Sequence, residues 1–147
     1  MGDELYHDRS FFDLLVSSYL RAVGKSLVPD TCDQNWLYHH APFAVVAHNC
    51  DPDPVFIYAN MAAQRCFGYD WTEFISLPSR LSAEPINRAD RQVLLDRVRN
   101  EGCVSGYSGV RIAKSGRRFS IDSGCVWQLA EQDGSHHGQA ATFPMPS

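Results

Sequence analysis

Apolar and polar positions divide this chain into a helical opening, a mixed middle and a β-rich end. From Ser10 to Leu27 the apolar residues Phe12, Leu15, Val16, Tyr19, Leu20 and Val23 recur at helical spacing. Ser10 reads as the cap of this helix. Asp13 sits in its first turn, and Gly24 or the residues just after it end it. Val28 to Asn35, with Pro29, Asp30, Thr31 and Asp33, reads as a linker. A short helical segment around Trp36, Leu37 and Tyr38 follows.

Phe43 to His48 is a β-type run, and Asp51-Pro52-Asp53-Pro54 is turn chemistry leading to a second strand, Val55 to Tyr58. Asn60 is placed to cap a helix from Met61 to Phe67 that Gly68 closes. Asp70 and Glu73 form a capping box for a second helix, Trp71 to Ile75. A third helix runs from Asn87 to about Asn100, with Leu94, Leu95 and Val98 as its buried side and its arginines read as a solvated face. Tyr107 to Ala113, the long alternating run Phe119 to Leu129, and Gly138 to Phe143 are strands, the last two separated by Asp133-Gly134. The pattern predicts an α+β chain with residues 1–35 as N-terminal helix and linker and 36–147 as one domain. Its five strands make one antiparallel sheet with helices over one face.

With 44% hydrophobic residues the chain can build its own core. Thirteen basic against seventeen acidic residues leave a net charge of −4, which argues against nucleic acid as partner. No apolar run reaches membrane-spanning length, and the first ten residues lack the basic and apolar stretches of a signal peptide. The five cysteines are odd in number, with no C-x-x-C pair, and read as reduced thiols of a cytoplasmic protein.

Tyr58-Ala59-Asn60-Met61-Ala62-Ala63, then Phe67-Gly68-Tyr69 and Trp71-Thr72-Glu73-Phe74, resemble the strand-to-helix junction and paired short helices of PAS domains. Over nearly the whole chain the resemblance is to bacterial stand-alone MEKHLA-type proteins. It is carried by Ala41 to His48, Leu77 to Pro85, Gly109 to Ile112, Gly116 to Phe119 and Gly138 to Phe143. The resemblance implies a PAS-like sheet of order 2-1-5-4-3 and a non-enzymatic sensing or signalling role. Related domains end plant homeodomain–leucine zipper factors; neither DNA-binding element is present here.

In such a fold a ligand cavity lies between the sheet and the 87–100 helix. By alternation its lining is Phe67, Leu81, Leu94, Val98, Val110, Ile112, Phe119, Ile121 and Trp127, with Gln139 as the polar group that orients a ligand. Two readings stand: a small apolar ligand in this cavity, or a filled core in a dimerisation module. Photoactive flavin domains carry an adduct cysteine where this chain reads Ala83 to Arg88, and haem relatives use a histidine in the long helix. Neither is present, so no cofactor is expected. The pairs His39-His40 and His136-His137 point apart on extended backbone, and no metal is expected. Cys66 and His48 lack an orienting third group, so no catalytic residue is assigned. Arg80 reads either as a loop fastener paired to a carboxylate or as an anion holder at the cavity mouth. Phe11 and Leu14 widen the first helix's apolar face beyond one packing contact. The helix reads either as lying on its own domain or as packing on a second subunit as well, and the excess predicts a homodimer through Phe11, Leu15 and Tyr19.

Overall fold

A computed structural model describes residues 4–146, excepting the side chains at 85 and 86. After a single turn of 3-10 helix at Leu5–His7 come α1 (Arg9–Val23), α2 (Gln34–His39), β1 (Phe43–His48) and β2 (Phe56–Ala59). Then follow α3 (Met61–Phe67), α4 (Trp71–Phe74), a 3-10 turn at Ser79–Ser82, α5 (Pro85–Glu101), β3 (Cys103–Ile112), β4 (Arg118–Ala130) and β5 (His136–Pro144). The strands form one antiparallel sheet in the order β2-β1-β5-β4-β3, as the resemblance implied.

Local chemistry sets most boundaries. Asn60 is fully buried, and its side-chain oxygen accepts from Ala63 N at 3.1 Å and Val45 N at 3.0 Å. Its amide donates to the carbonyls of Leu37 at 3.1 Å and Phe43 at 3.0 Å. One residue therefore caps α3 and binds it to α2 and β1. Asp70 and Glu73 complete the capping box of α4. The cap of α1 is Asp8 rather than Ser10: the Asp8 carboxylate accepts from Phe11 N at 3.1 Å, and the helix starts two residues earlier than expected.

β1 and β5 are central, so both of their faces are covered. Ala44 and Val46 point to the inner face with Phe56, Phe67, Phe119, Ile121 and Phe143. Val45 and Ala47 point outward to a second core with Phe11, Phe12, Leu15, Tyr58, Trp127 and Leu129. The molecule is thus three-layered: α3, α4 and α5 over the inner face, and α1 across the outer one.

Two expectations change here. The uniform alternation assumed for β4 breaks at Ser123, which has φ +56°. Between Ile121 and Gly124 three steps on β4 oppose two on β3, from Gly109 to Tyr107. The extra residue inverts the pleat. Phe119 and Ile121 face inward as expected, but Cys125, Trp127 and Leu129 face outward, and Trp127 is fully buried against α1. The proposed interface residues are likewise covered by their own sheet. Leu15 is fully buried, Phe11 packs on Tyr58 with ring centroids 5.5 Å apart, and Tyr19 meets Trp127 edge-on at 4.8 Å. An outer sheet face of Val45, Ala47, Trp127, Leu129 and Ala140 needs a cover. Each buried large side chain contributes about 1.5–3 kcal/mol, so the helix stays on its own domain.

Candidate functional site

α5 turns Arg91, Leu94, Leu95 and Val98 toward the sheet, positions i, i+3, i+4 and i+7 of one face. Opposite them on β3, the inward positions are Tyr107, Gly109 and Arg111, paired with Gly124, Ile121 and Phe119 of β4. β1 contributes His48 and β5 contributes Gln139, cross-strand partners at the end of the sheet. Between these elements lies a cavity of about 60 Å³ whose wall includes Phe67, Leu94, Ile121, Val126 and Phe143. A wetter depression of about 300 Å³ opens beside it and shares His48, Leu95 and Gln139 with it.

The apolar wall holds an unusual set of polar groups. Arg91 and Arg111 are each only 8% exposed. Arg91 donates from Nη2 to Ser79 Oγ at 2.7 Å. Burial, and the Arg111 charge after it, push the Arg91 pKa down to about 10. Arg111 donates from Nη1 to the Val110 carbonyl at 2.9 Å and from Nη2 to the Tyr107 hydroxyl, and its guanidinium lies 5.4 Å from the Tyr107 ring centroid. Two glycines make room for that ring. A methyl group at Gly109 would collide with the Tyr107 hydroxyl, and one at Gly124 would sit 3.2 Å from Tyr107 Cδ2.

Gln139 donates from Nε2 to the Leu95 carbonyl at 3.1 Å, tying β5 to the middle of α5, while its Oε1 is buried without a partner. His48 Nδ1 lies 3.0 Å from the Asn49 carbonyl and Nε2 is buried without a partner. Burial pushes the His48 pKa down to about 4, with the Arg91 charge adding to the shift, so the ring is neutral near pH 7.

Of the sequence-derived lining, Phe67, Leu94, Ile121 and Gln139 are in the wall. Val98 and Phe119 are buried on the same side of the sheet but beyond it. Leu81 is 36% exposed and lies outside. Val110 and Ile112 pair with Ser120 and Arg118, alternate away from Gly109 and Arg111, and leave the cavity. Trp127 belongs to the outer core because of the Ser123 bulge. Arg80 is half-exposed and pairs with Asp53 at 3.1 Å, away from the wall.

Arg91, Tyr107 and Arg111 lie in the wall beyond the sequence-derived lining, and Arg91 is buried rather than on the solvated face expected for the arginines of its helix. The signal was present: Arg91 keeps helical register with Leu94, Leu95 and Val98, and Arg111 keeps strand register with Tyr107 and Gly109. The histidine pair at the end of β5 is tied up locally, His136 with Gln128 and His137 with Glu131.

Among the described residues no cluster of three His, Cys, Asp or Glu side chains is set to hold a metal ion. No described helix is long and apolar enough to cross a membrane. A space of about 60 Å³ is well below the roughly 300–1,000 Å³ of sites for larger ligands.

A family model described as the MEKHLA domain matches residues 9–145, so the match includes α1. No curated protein matches the sequence. Among solved structures, a PAS domain from Colwellia psychrerythraea is similar with a TM-score of 0.63 at 16% identity, over 71% of this chain and 86% of that one. A PAS domain from a two-component sensor histidine kinase gives a TM-score of 0.58 at 18% identity, over 74% and 87%. A light-oxygen-voltage domain studied with a flavin analogue gives 0.56 at 16% identity, over 68% and 73%. At these identities the likeness shows a shared fold.

Proposed function

Because this chain belongs to the MEKHLA domain family and carries a PAS-like fold, we propose that it is a non-enzymatic sensor module. It binds a small molecule between the sheet and α5 and relays occupancy to α1 on the opposite face. One observation carries this reading: the cavity wall includes His48 and Gln139, whose buried Nε2 and Oε1 have no partner among the described residues. A filled core disfavours such atoms, because an unsatisfied buried acceptor costs about 1–3 kcal/mol.

The relay has a physical route. Val126 borders the cavity on one face of β4, and Trp127, the next residue, packs on α1 from the other. A ligand that shifts β4 and β5 therefore changes what α1 rests on. Signalling requires that the ligand bind two such arrangements with different affinity. Catalysis has little support from Cys66, which lies outside the cavity wall: burial pushes its thiol up, and its Sγ lies 3.6 Å from Met145 Sδ rather than beside a base.

Native mass spectrometry of the protein purified from its source tests the reading, since it reports bound small molecules and subunit count together. The expected result is a mass increment of a small organic molecule that is lost on activation. Hydrogen exchange then slows in β4, β5 and α1 when that molecule is restored. A chain that carries no adduct and whose α1 exchange is indifferent to every small molecule offered would instead favour a structural interaction domain.

A further inference from the structure

The charge in the cavity wall narrows what the ligand is. Arg91 and Arg111 are buried from different elements, and their charges repel each other. None of the ion pairs among the described residues involves either one. Each guanidinium has five N–H donors, and the described partners use one on Arg91 and two on Arg111. Buried cations without counter-charge are strongly unfavourable unless something supplies it.

The same wall also holds groups with the opposite need. With Nδ1–H directed at the Asn49 carbonyl, His48 presents Nε2 as an acceptor. Gln139 spends its amide on Leu95 and presents Oε1, also an acceptor. The two residues are cross-strand neighbours and want a donor. Much of the remaining wall is apolar, with Phe67, Ile121 and Val126 in it.

We infer that the cavity takes a small hydroxycarboxylate, its carboxylate between Arg91 and Arg111 and its hydroxyl donating to Gln139 Oε1 or His48 Nε2. This rests on the reading of the cavity as a ligand site. Arginine suits the task because its planar fork pairs with both oxygens of a carboxylate. An amine in place of the hydroxyl would bring a third cation beside the two guanidinium groups. The volume limits the ligand to a handful of heavy atoms, since a space of about 60 Å³ admits roughly four water-sized groups. Tyr107 is a positioning residue: its hydroxyl holds Arg111, and Gly109 leaves it the space to do so.

Calorimetry and thermal melting of the full chain test this with L-lactate, glycolate, lactamide and inorganic phosphate at matched ionic strength. One or both hydroxycarboxylates should bind and raise the melting temperature, with lactamide at least tenfold weaker than lactate. Arg91→Met should weaken hydroxycarboxylate binding at least tenfold. It should also leave the empty protein as stable as the wild type or more so, because it removes an unpaired buried charge. Gly109→Ala should weaken binding while the far-ultraviolet circular dichroism stays unchanged. The inference falls, and cavity sensing stands, if lactamide binds as well as lactate or if inorganic phosphate alone shifts melting. It also falls if neither hydroxycarboxylate binds, and an Arg91→Met variant that then melts lower than the wild type would make the arginines structural. If in addition native mass spectrometry finds no adduct, the sensor reading falls with it.

Discussion

The indole of Trp127 donates to the hydroxyl of Ser18 at 2.9 Å, joining the middle of β4 to the middle of α1 in a site closed to water. The Ser18 hydroxyl in turn donates to the Leu14 carbonyl at 2.6 Å. A polar residue inside an otherwise apolar helix face is thus satisfied twice. The largest buried side chain of the outer core is anchored in one orientation.

Ser18→Ala leaves the indole N–H buried without an acceptor. It should lower stability by about 1–3 kcal/mol in urea unfolding, with an unchanged m-value. An effect below about 0.5 kcal/mol would mean that the indole finds another acceptor.

Removing residues 1–26 takes away α1 and uncovers Trp127, Leu129, Val45 and Ala47 together. The shortened chain should aggregate or lose its cooperative melt, and its Trp127 fluorescence should shift to the red. A soluble monomer with an intact cooperative transition would contradict the covering role of α1.

Asn60→Ala strips four hydrogen bonds from a fully buried position and leaves the Val45 and Ala63 N–H groups and the Leu37 and Phe43 carbonyls short of a partner. A loss of about 3 kcal/mol or more is expected in chemical denaturation. Asn60→Asp should be nearly as damaging, since it keeps the acceptor and deletes both donors.

His48 gives stability a pH dependence whose sign follows from its lowered pKa. The unfolded residue takes up a proton near pH 6.5, and the folded one resists until about pH 4. In that window the unfolded state binds more protons. The stability present above about pH 6.5 is therefore lost as pH falls toward 4, by roughly 2–3 kcal/mol. His48→Gln should flatten this part of the profile in denaturant titrations at stepped pH. A wild-type curve parallel to that of the variant would show that the histidine charges freely in the fold.

Arg80→Ala should cost less than about 1 kcal/mol, because the Asp53 pair is half-exposed on both sides and screened by water. The larger loss that a loop-fastening arginine would suggest is not expected. Equal melting temperatures at low and high salt for wild type and variant would agree with this.

What the sequence determined by itself was whatever residues a few positions apart decide between them. Asn60 three places before Ala63, Asp70 three before Glu73, and Gly68 and Gly24 at helix ends announce their elements, because capping and turn chemistry act over a single turn. The β-runs and the short helices were legible for the same reason, and the family resemblance ordered the strands. The tertiary structure alone decided which side each strand residue faces and what the helices cover. Alternation is a running parity that one inserted residue inverts, and Ser123, an ordinary serine in a left-handed conformation, moves Trp127 from the cavity to the outer core. The apolar excess on α1 read equally well as a contact with a second subunit, since a helix does not record which surface will meet it. Arg91 and Arg111 stand twenty positions apart and look solvated by composition. They become a pair only when α5 closes over β3, where burial depends on the sum of distant contacts rather than on any local pattern.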